Sequence, residues 1–256
     1  MNFFYVLRKI IYFSLILLLH GSLNAFGVNK WDVKCIQKNK NICSVNLLED
    51  EKFCQLEKQV ISFLRNSWCT EEKARLILEL TALTHPQVSV EIGAFTGSSA
   101  LPILCGLKYA QQGKAFIVDA WSSVESIKGL KKEDPTTMWW GSLDMEGVKK
   151  QCIKMIKEWD LFPYCSLIHA TSEEASALIE SIDFLHLDGN FSEKGSLQDT
   201  LLYLPKVKSG GYILLSNLFI LIENKPTKTK ALWPIFDACE VVCEIENGNV
   251  VLFRKL

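Results

Sequence analysis

The sequence predicts an α/β domain in which helices cover both faces of a mostly parallel sheet. Three observations carry that prediction. Short apolar runs at Val88–Ile92, Ala115–Asp119, Cys165–His169 and Ile182–Asp188 each close on or beside a polar residue. Amphipathic helical stretches alternate with them, the pattern of βαβ units on a parallel sheet. The first run feeds a glycine turn, Gly93 to Gly97, which opens onto an apolar helical stretch from Ala100 to Tyr109. Strand–turn–helix junctions of this kind lie at the carboxyl edge of the sheet, where open α/β folds bind ligands.

Upstream of the first strand, residues 26–70 are mixed and polar, with two short helices expected at Val45–Phe53 and Leu56–Arg65. Thr70 is the N-cap of a helix to about Thr84. Glu71 and Glu72 occupy its first turn, Ala74, Leu76, Ile77, Leu80 and Leu83 form an apolar face, and Pro86 stops it. The second strand, Ala115–Asp119, leads into an irregular loop to Asp144 that carries Pro135, Met138, Trp139 and Trp140. The paired tryptophans either wall a substrate pocket or cap the core. A helix over Met145–Trp159 precedes the third strand. After His169, Thr171 or Ser172 caps the next helix, with acids in its first turn. The fourth strand ends at Asp188, a helix crosses over, and Gly210-Gly211 turns into a buried strand reaching Ser216-Asn217. Glu240–Ile245 and Val250–Arg254 form a hairpin across Glu246–Asn249.

Spacing selects the ligand. Glu91-x-Gly93-x-x-x-Gly97-x-Ser99 is not the G-x-G-x-x-G of dinucleotide binding. The glycines are too far apart, and the carboxylate suits a cofactor that carries an amine but repels a pyrophosphate, which disfavours a nicotinamide-dependent dehydrogenase. The pattern resembles the first motif of class I S-adenosylmethionine-dependent methyltransferases, in particular the catechol and caffeoyl-CoA O-methyltransferase group. The run Ile182-Asp183-Phe184-Leu185-His186-Leu187-Asp188-Gly189-Asn190-Phe191-Ser192, continuing to Pro205 and Gly210-Gly211, resembles the I-D-G-D-H-S-Y-x-G…D…L-x-P-G-G block of the same enzymes. The resemblance covers roughly residues 70–256. It implies a three-layer Rossmann-like sandwich with a seven-stranded, mostly parallel sheet and an antiparallel C-terminal hairpin. It also implies S-adenosyl-L-methionine as cofactor. Glu91, Gly93, Phe95, Gly97 and Ser99 would hold its methionine half, Asp119 the ribose, and Thr171 and Ser172 the adenine, with Asp188 beside them. Asn190, Asn217, Trp139 and Trp140 would face a small-molecule acceptor, and the helix from Thr70 would lid the cofactor.

Two positions depart from the resembled pattern. Its metal-dependent members hold a divalent cation at three positions that align here with Asp188, Ser216 and Asn217, and magnesium favours hard carboxylate oxygens. Ser216 removes one of them, so no metal ligand is assigned and the reaction is expected to be metal-independent or weakly metal-dependent. The general base of the resembled enzymes aligns with Phe191, which accepts no proton. Asp188 and His169 are the candidate catalytic residues, His169 as the best-placed replacement base. His186 lies in an apolar run and reads as a core residue, and Glu193 and Lys194 as solvated. The expected activity is methylation of a small-molecule hydroxyl. The alternative is an exported, non-catalytic binding protein on a degenerate methyltransferase scaffold.

Residues 1–25 have a signal-peptide layout: Arg8 and Lys9, an apolar core from Ile10 to Leu19, and a short polar stretch to Ala25. Cleavage there is expected to give an exported protein, and retention would give an N-terminal anchor, the one expected membrane contact. Without this segment the chain has 26 basic and 29 acidic residues, and no basic patch argues for nucleic acid. The domain organisation expected is residues 1–25 as signal peptide, 26–69 as a helical, cysteine-containing extension, and 70–256 as the methyltransferase-like domain. Cys35, Cys43, Cys54 and Cys69 either staple the extension or remain thiols. Cys239 and Cys243 are about 13 Å apart on an extended strand, too far to bond each other. Asn190-Phe191-Ser192 is also an N-glycosylation sequon.

Overall fold

The computed structural model describes residues 47–222 and 225–256. The expected signal peptide, Cys35, Cys43 and the start of the helix expected at Val45 lie outside the described residues.

Five parallel strands and a C-terminal antiparallel pair form one sheet: β1 Val88–Ile92, β2 Lys114–Asp119, β3 Cys165–His169, β4 Ile182–Leu187, β5 Val207–Leu215, β6 Cys239–Ile245 and β7 Val250–Lys255. Their order is β3-β2-β1-β4-β5-β7-β6. Val90 pairs with Phe116 of β2 on one side and with Leu185 of β4 on the other. The chain therefore winds outward in two directions from β1 and β4, and the crevice beyond their carboxyl ends is the switch point at which such sheets bind ligands.

The helices are α1 Glu51–Leu64, α2 Glu71–Thr84, α3 Ala100–Ala110, α4 Ser123–Ser126, α5 Pro135–Ser142, α6 Met145–Glu158, α7 Ser172–Ser176, α8 Glu193–Tyr203 and α9 Thr229–Ala238. They cover both faces. One core packs α1, α2, α3 and α6 on the sheet, around Phe53, Leu76, Leu101 and Ile156. The other packs α7, α8 and α9, around Ala175, Tyr203 and Ile235. Burial of these apolar side chains on both faces supplies the dominant stabilisation. α1 shares the first core through Phe53, Val60 and Leu64, so the described part of the N-terminal extension is built into the domain.

The structure corrects three expectations. The two helices expected at Val45–Phe53 and Leu56–Arg65 are, where described, a short 3-10 turn at Leu47–Glu49 and one continuous helix, α1. Asp50 starts it by accepting from the backbone N–H groups of Lys52 and Phe53. The loop between Asp119 and Asp144 contains α4 and α5. Asp134 caps α5 and Pro135 stands at its first turn, where proline costs nothing, so Trp139 and Trp140 are helical. Gly210-Gly211 does not precede β5 but lies inside it, at a register irregularity against β4. Cys54 and Cys69 are thiols, as are Cys105, Cys152, Cys165, Cys239 and Cys243; the stapling alternative gains no bridge among the described residues.

Candidate active site

At the end of β1 the chain turns through Gly93, with φ +90°, and Gly97, with φ +87°. A Cβ on Gly93 would lie 2.4 Å from the carbonyl oxygen of Asp188. A Cβ on Gly97 would meet Met155 of α6 at 2.5 Å. The two glycines thus let the turn press against the end of β4 and against α6, in conformations that side chains disfavour. Gly93 also faces the cleft, whereas Gly97 lines no part of it.

That cleft runs along the carboxyl edge of β2, β1 and β4 and holds about 1030 Å³ of space free of protein atoms, mouth included. Asp119 lines it. One carboxylate oxygen accepts from the backbone N–H of Phe95 at 2.8 Å, the other from that of Trp121 at 2.6 Å, and the Trp121 indole donates to the Phe95 carbonyl. Burial pushes the Asp119 pKa up, and the two backbone donors oppose it. At the β3 end, Thr171 caps α7 in a reciprocal pair with Glu174. Ser172 donates to Asp199. Both residues line the cleft, so capping and a ligand-facing position coexist.

The other end is built from side chains. Glu91 is fully buried. Ser99 donates to its Oε1 at 2.5 Å, and His186 Nδ1 lies 2.9 Å from the same oxygen. His186 Nε2 lies 2.9 Å from Ser216 Oγ. Burial, then the nearby Lys73 ammonium, hold the His186 pKa below its ordinary value, so the imidazole is neutral. With Glu91 as acceptor, the proton is assigned to Nδ1 and Nε2 accepts from the Ser216 hydroxyl. His186 is therefore a satisfied core residue, and the Ser216 proton points to it. Among the described residues Glu91 Oε2 has no hydrogen-bond partner, and Glu91 stands behind the turn without lining the cleft or the smaller cavity beside it.

Asp188 stands beyond β4. Lys73 Nζ of α2 lies 2.8 Å from its Oδ2, Asn217 donates to its Oδ1, and Lys228 Nζ approaches Oδ1 at 4.0 Å. Burial raises the Asp188 pKa, but Lys73 and Lys228 outweigh it and hold the carboxyl below the usual range. Lys73 is 4% exposed and Lys228 2%. Burial works against the Lys73 charge, and Asp188 more than restores it. For Lys228 burial prevails over Asp188 and Asp199, and its pKa is lowered. Asn217 has φ 65°, a left-handed conformation that asparagine tolerates.

Lys73 and Asn217 line a smaller cavity that shares Gly93, Phe95, Trp140, Asp188 and Phe191 with the main cleft and also receives Ser99. Its walls are aromatic: Trp140 lies 5.3 Å from Phe95 and 5.4 Å from Phe191, centroid to centroid. Trp68 covers Phe95 and Trp140, and Trp139 stacks outside on Trp68 without lining either cavity. Of the tryptophan pair, one walls the site and the other caps it. Asn190 lines the main cleft with its amide donated to the Glu125 and Lys128 carbonyls.

His169 is not brought to this centre. It is exposed at the end of β3, with Nδ1 against Lys149 Nζ and Nε2 against the Ala120 carbonyl, and lines neither cavity. Parallel register sets it beside Asp119, across β1 from Asp188. Lys73 and Lys228 were missed from sequence. Lys73 carried a signal, since it occupies the apolar stripe of α2, three and four residues before Leu76 and Ile77. Lys228 carried none.

A metal does not fit these donors. One carboxylate, already bound by an ammonium and an amide, faces the position, and the Ser216 hydroxyl is committed to His186.

Residues 90–218 match the model of a methyltransferase domain family, and the chain belongs to that family. No curated protein matches it by sequence. Among solved structures, the Podospora anserina methyltransferase bound to S-adenosylhomocysteine is 12% identical with a TM-score of 0.53, over 87% of this chain and 92% of the other. An O-methyltransferase from Bacillus cereus, also with S-adenosylhomocysteine, is 12% identical with a TM-score of 0.52, over 82% and 94%. The O-methyltransferase of tomaymycin synthesis from Streptomyces achromogenes, with S-adenosylmethionine, is 10% identical with a TM-score of 0.53, over 81% and 90%. The fold is that of class I O-methyltransferases.

Proposed function

We propose that this protein is an S-adenosyl-L-methionine-dependent O-methyltransferase acting on a small-molecule hydroxyl without a metal ion. The observation that carries the reading is the Asp119 carboxylate, fixed by two backbone N–H groups at the edge of a cleft that the Gly93 turn, Thr171, Ser172 and Asp188 also line. Its free lone pairs suit the vicinal hydroxyls of a ribose. The exported address and the division at residue 25 belong to the same proposal and rest on the sequence pattern, whereas residue 69 marks only where the resembled pattern begins, since α1 shares the core of the domain.

When bound, the cofactor supplies an electrophilic methyl group on a positively charged sulfur. Phe95, Trp140 and Phe191 exclude water from the junction of the two cavities, and their ring faces favour a cation. Asp119 and Ser172 orient the nucleoside, so the acceptor needs only alignment with the methyl group, from which much of the rate derives. Phe191 takes no proton, and His169 is turned away, so an acidic hydroxyl is favoured over an alkanol.

Calorimetric titration of S-adenosylmethionine and S-adenosylhomocysteine into the chain tests the reading. Micromolar binding is expected, unchanged by EDTA. Absence of binding by folded protein would replace it with the non-catalytic scaffold. Activity lost in EDTA and restored by magnesium would refute the metal-free part.

A further inference from the structure

Lys73 is a buried ammonium with donors to spare. Its nitrogen carries three N–H groups. One is given to Asp188, and the described residues offer its ammonium no second hydrogen-bond acceptor. The side chain is buried yet forms part of the wall of the smaller, aromatic-lined cavity, next to Asn217. Leaving buried donors unsatisfied is costly, so that arrangement is one that a ligand oxygen completes.

The same ammonium sits where the chemistry of the neighbouring groups would otherwise suit a cation. Asp188 accepts from it, Asn217 donates to the other oxygen of that carboxylate, and Ser216, the third residue of that corner, gives its proton to His186. Lys228 flanks Asp188 from the other side, 5.9 Å from the Phe191 ring centre. A divalent ion would have to enter beside two ammonium groups with one carboxylate in support, a disfavoured balance of charge.

We propose that Lys73 is the built-in cation of this site: its ammonium takes the place of a divalent metal beside Asp188 and Asn217, and its free N–H groups hold the ionised oxygen of the acceptor in the aromatic cavity. Lys73 is then a residue that touches the substrate, Asp188 positions it, and Asn217 holds Asp188 through the other carboxylate oxygen. This rests on the methyltransferase reading, and it names the state of the acceptor, an oxyanion held by a fixed charge.

Two measurements on the full chain test it. The first follows Mn(II) binding by electron paramagnetic resonance in the wild type, Ser216→Asp, Lys73→Met and the double variant. The double variant is expected to bind Mn(II) roughly tenfold or more tighter than Ser216→Asp, because only it has the second carboxylate without the Lys73 ammonium, Lys228 being common to all four proteins. Equal binding by Ser216→Asp and the double variant would overturn the role of Lys73 as the site's cation. The second titrates 4-nitrophenol, whose anion absorbs in the visible, with S-adenosylhomocysteine present. The wild type is expected to lower the bound probe's pKa by about one unit, a tenfold change in ionisation, and Lys73→Met to abolish the shift. No shift in the wild type, or the same shift in both, would overturn the oxyanion role. S-adenosylhomocysteine binding, measured alongside in every variant, separates the two levels. Its absence from the folded wild type refutes the cofactor reading, while the Mn(II) series still decides what Lys73 does.

Discussion

At the β2–β3 end of the cleft, the carboxylate of Asp119 is held by backbone N–H groups, from Phe95 and Trp121. At the β4–β5 end, Asp188 is held by side chains, from Lys73, Asn217 and Lys228. The first arrangement is supplied by the fold, because two strands and their turns deliver the amides wherever the chain winds this way. The second is supplied by side chains from three separate segments, the Lys73 one 115 positions from Asp188 and the Asn217 one 29 positions from it. The proposed cofactor end therefore depends on backbone geometry, and the proposed reaction end on the particular side chains of this chain.

The sharpest break of the cofactor end is at Gly93. A valine there would drive its Cβ into the Asp188 carbonyl and hold φ +90°, so Gly93→Val is expected to cost more than about 3 kcal/mol and to abolish S-adenosylhomocysteine binding. Thermal melting and calorimetry check both. A variant that melts like the wild type and binds the ligand would show that β1 and β4 do not need their close approach.

The contrast between the two ends also governs what could be read from sequence. β1 and β3 fall at their expected residues, and α2 at its capping threonine, because apolar periodicity and caps are local signals. The cleft-lining positions of Gly93, Asp119, Thr171, Ser172 and Asp188 were legible for the same reason, each lying at a strand end that the pattern marks, while Gly97 lines no part of the cleft. The α5 helix departs from the expected loop: Asp134-Pro135 is a local start signal, but the eight residues of the helix carry no apolar stripe of helical period. The salt bridge from Lys73 to Asp188 spans helix and strand and leaves no periodic trace except a charge in an apolar stripe. The two lysines and His169 show the limit: pattern says which residues end strands, but not which side chain from a distant segment fills the space beyond them.

The reaction end can be broken in a way that distinguishes pairing from burial. Lys73→Met leaves Asp188 buried with weaker support, and Asp188→Leu leaves Lys73 without its carboxylate. Each is expected to cost about 3–5 kcal/mol, and the double variant less than their sum, because it removes the desolvated pair together. Denaturant unfolding of the four proteins measures the coupling. Additive losses would mean the pair is solvated and that Lys73 is not held in place by Asp188.

A smaller effect is expected at Asp119. Asp119→Asn keeps an acceptor for one backbone N–H but loses the charge and one acceptor oxygen. S-adenosylhomocysteine affinity is expected to fall by roughly 10- to 100-fold, the value of about 1–3 kcal/mol for a charged hydrogen bond, with Lys73→Met leaving that affinity within about threefold of the wild type. If Lys73→Met weakens the cofactor as much as Asp119→Asn does, the two ends are not separable and the comparison fails.

Asp199 lies on the seam between the two ends. It accepts from Ser172 on the nucleoside side and feels the Lys228 charge on the reaction side, and burial pushes its pKa up from 3.8 to about 6. Because the folded-state value is the higher one, the folded protein binds the extra proton between pH 4 and 6 and the unfolded chain does not. That contribution to stability is complete below the unfolded value and is lost as pH rises through about 6. Asp199→Asn retains an acceptor for Ser172 and has no proton to lose. The stability difference, wild type minus variant, is therefore expected to fall between pH 4 and 6 and to be flat above it, with the variant the more stable at pH 7. Thermal melts of both proteins across that range cancel the slopes of His186 and Asp188, which both proteins share. A flat difference would mean that water reaches Asp199 through the cleft, and that the seam between the two ends is wet rather than closed.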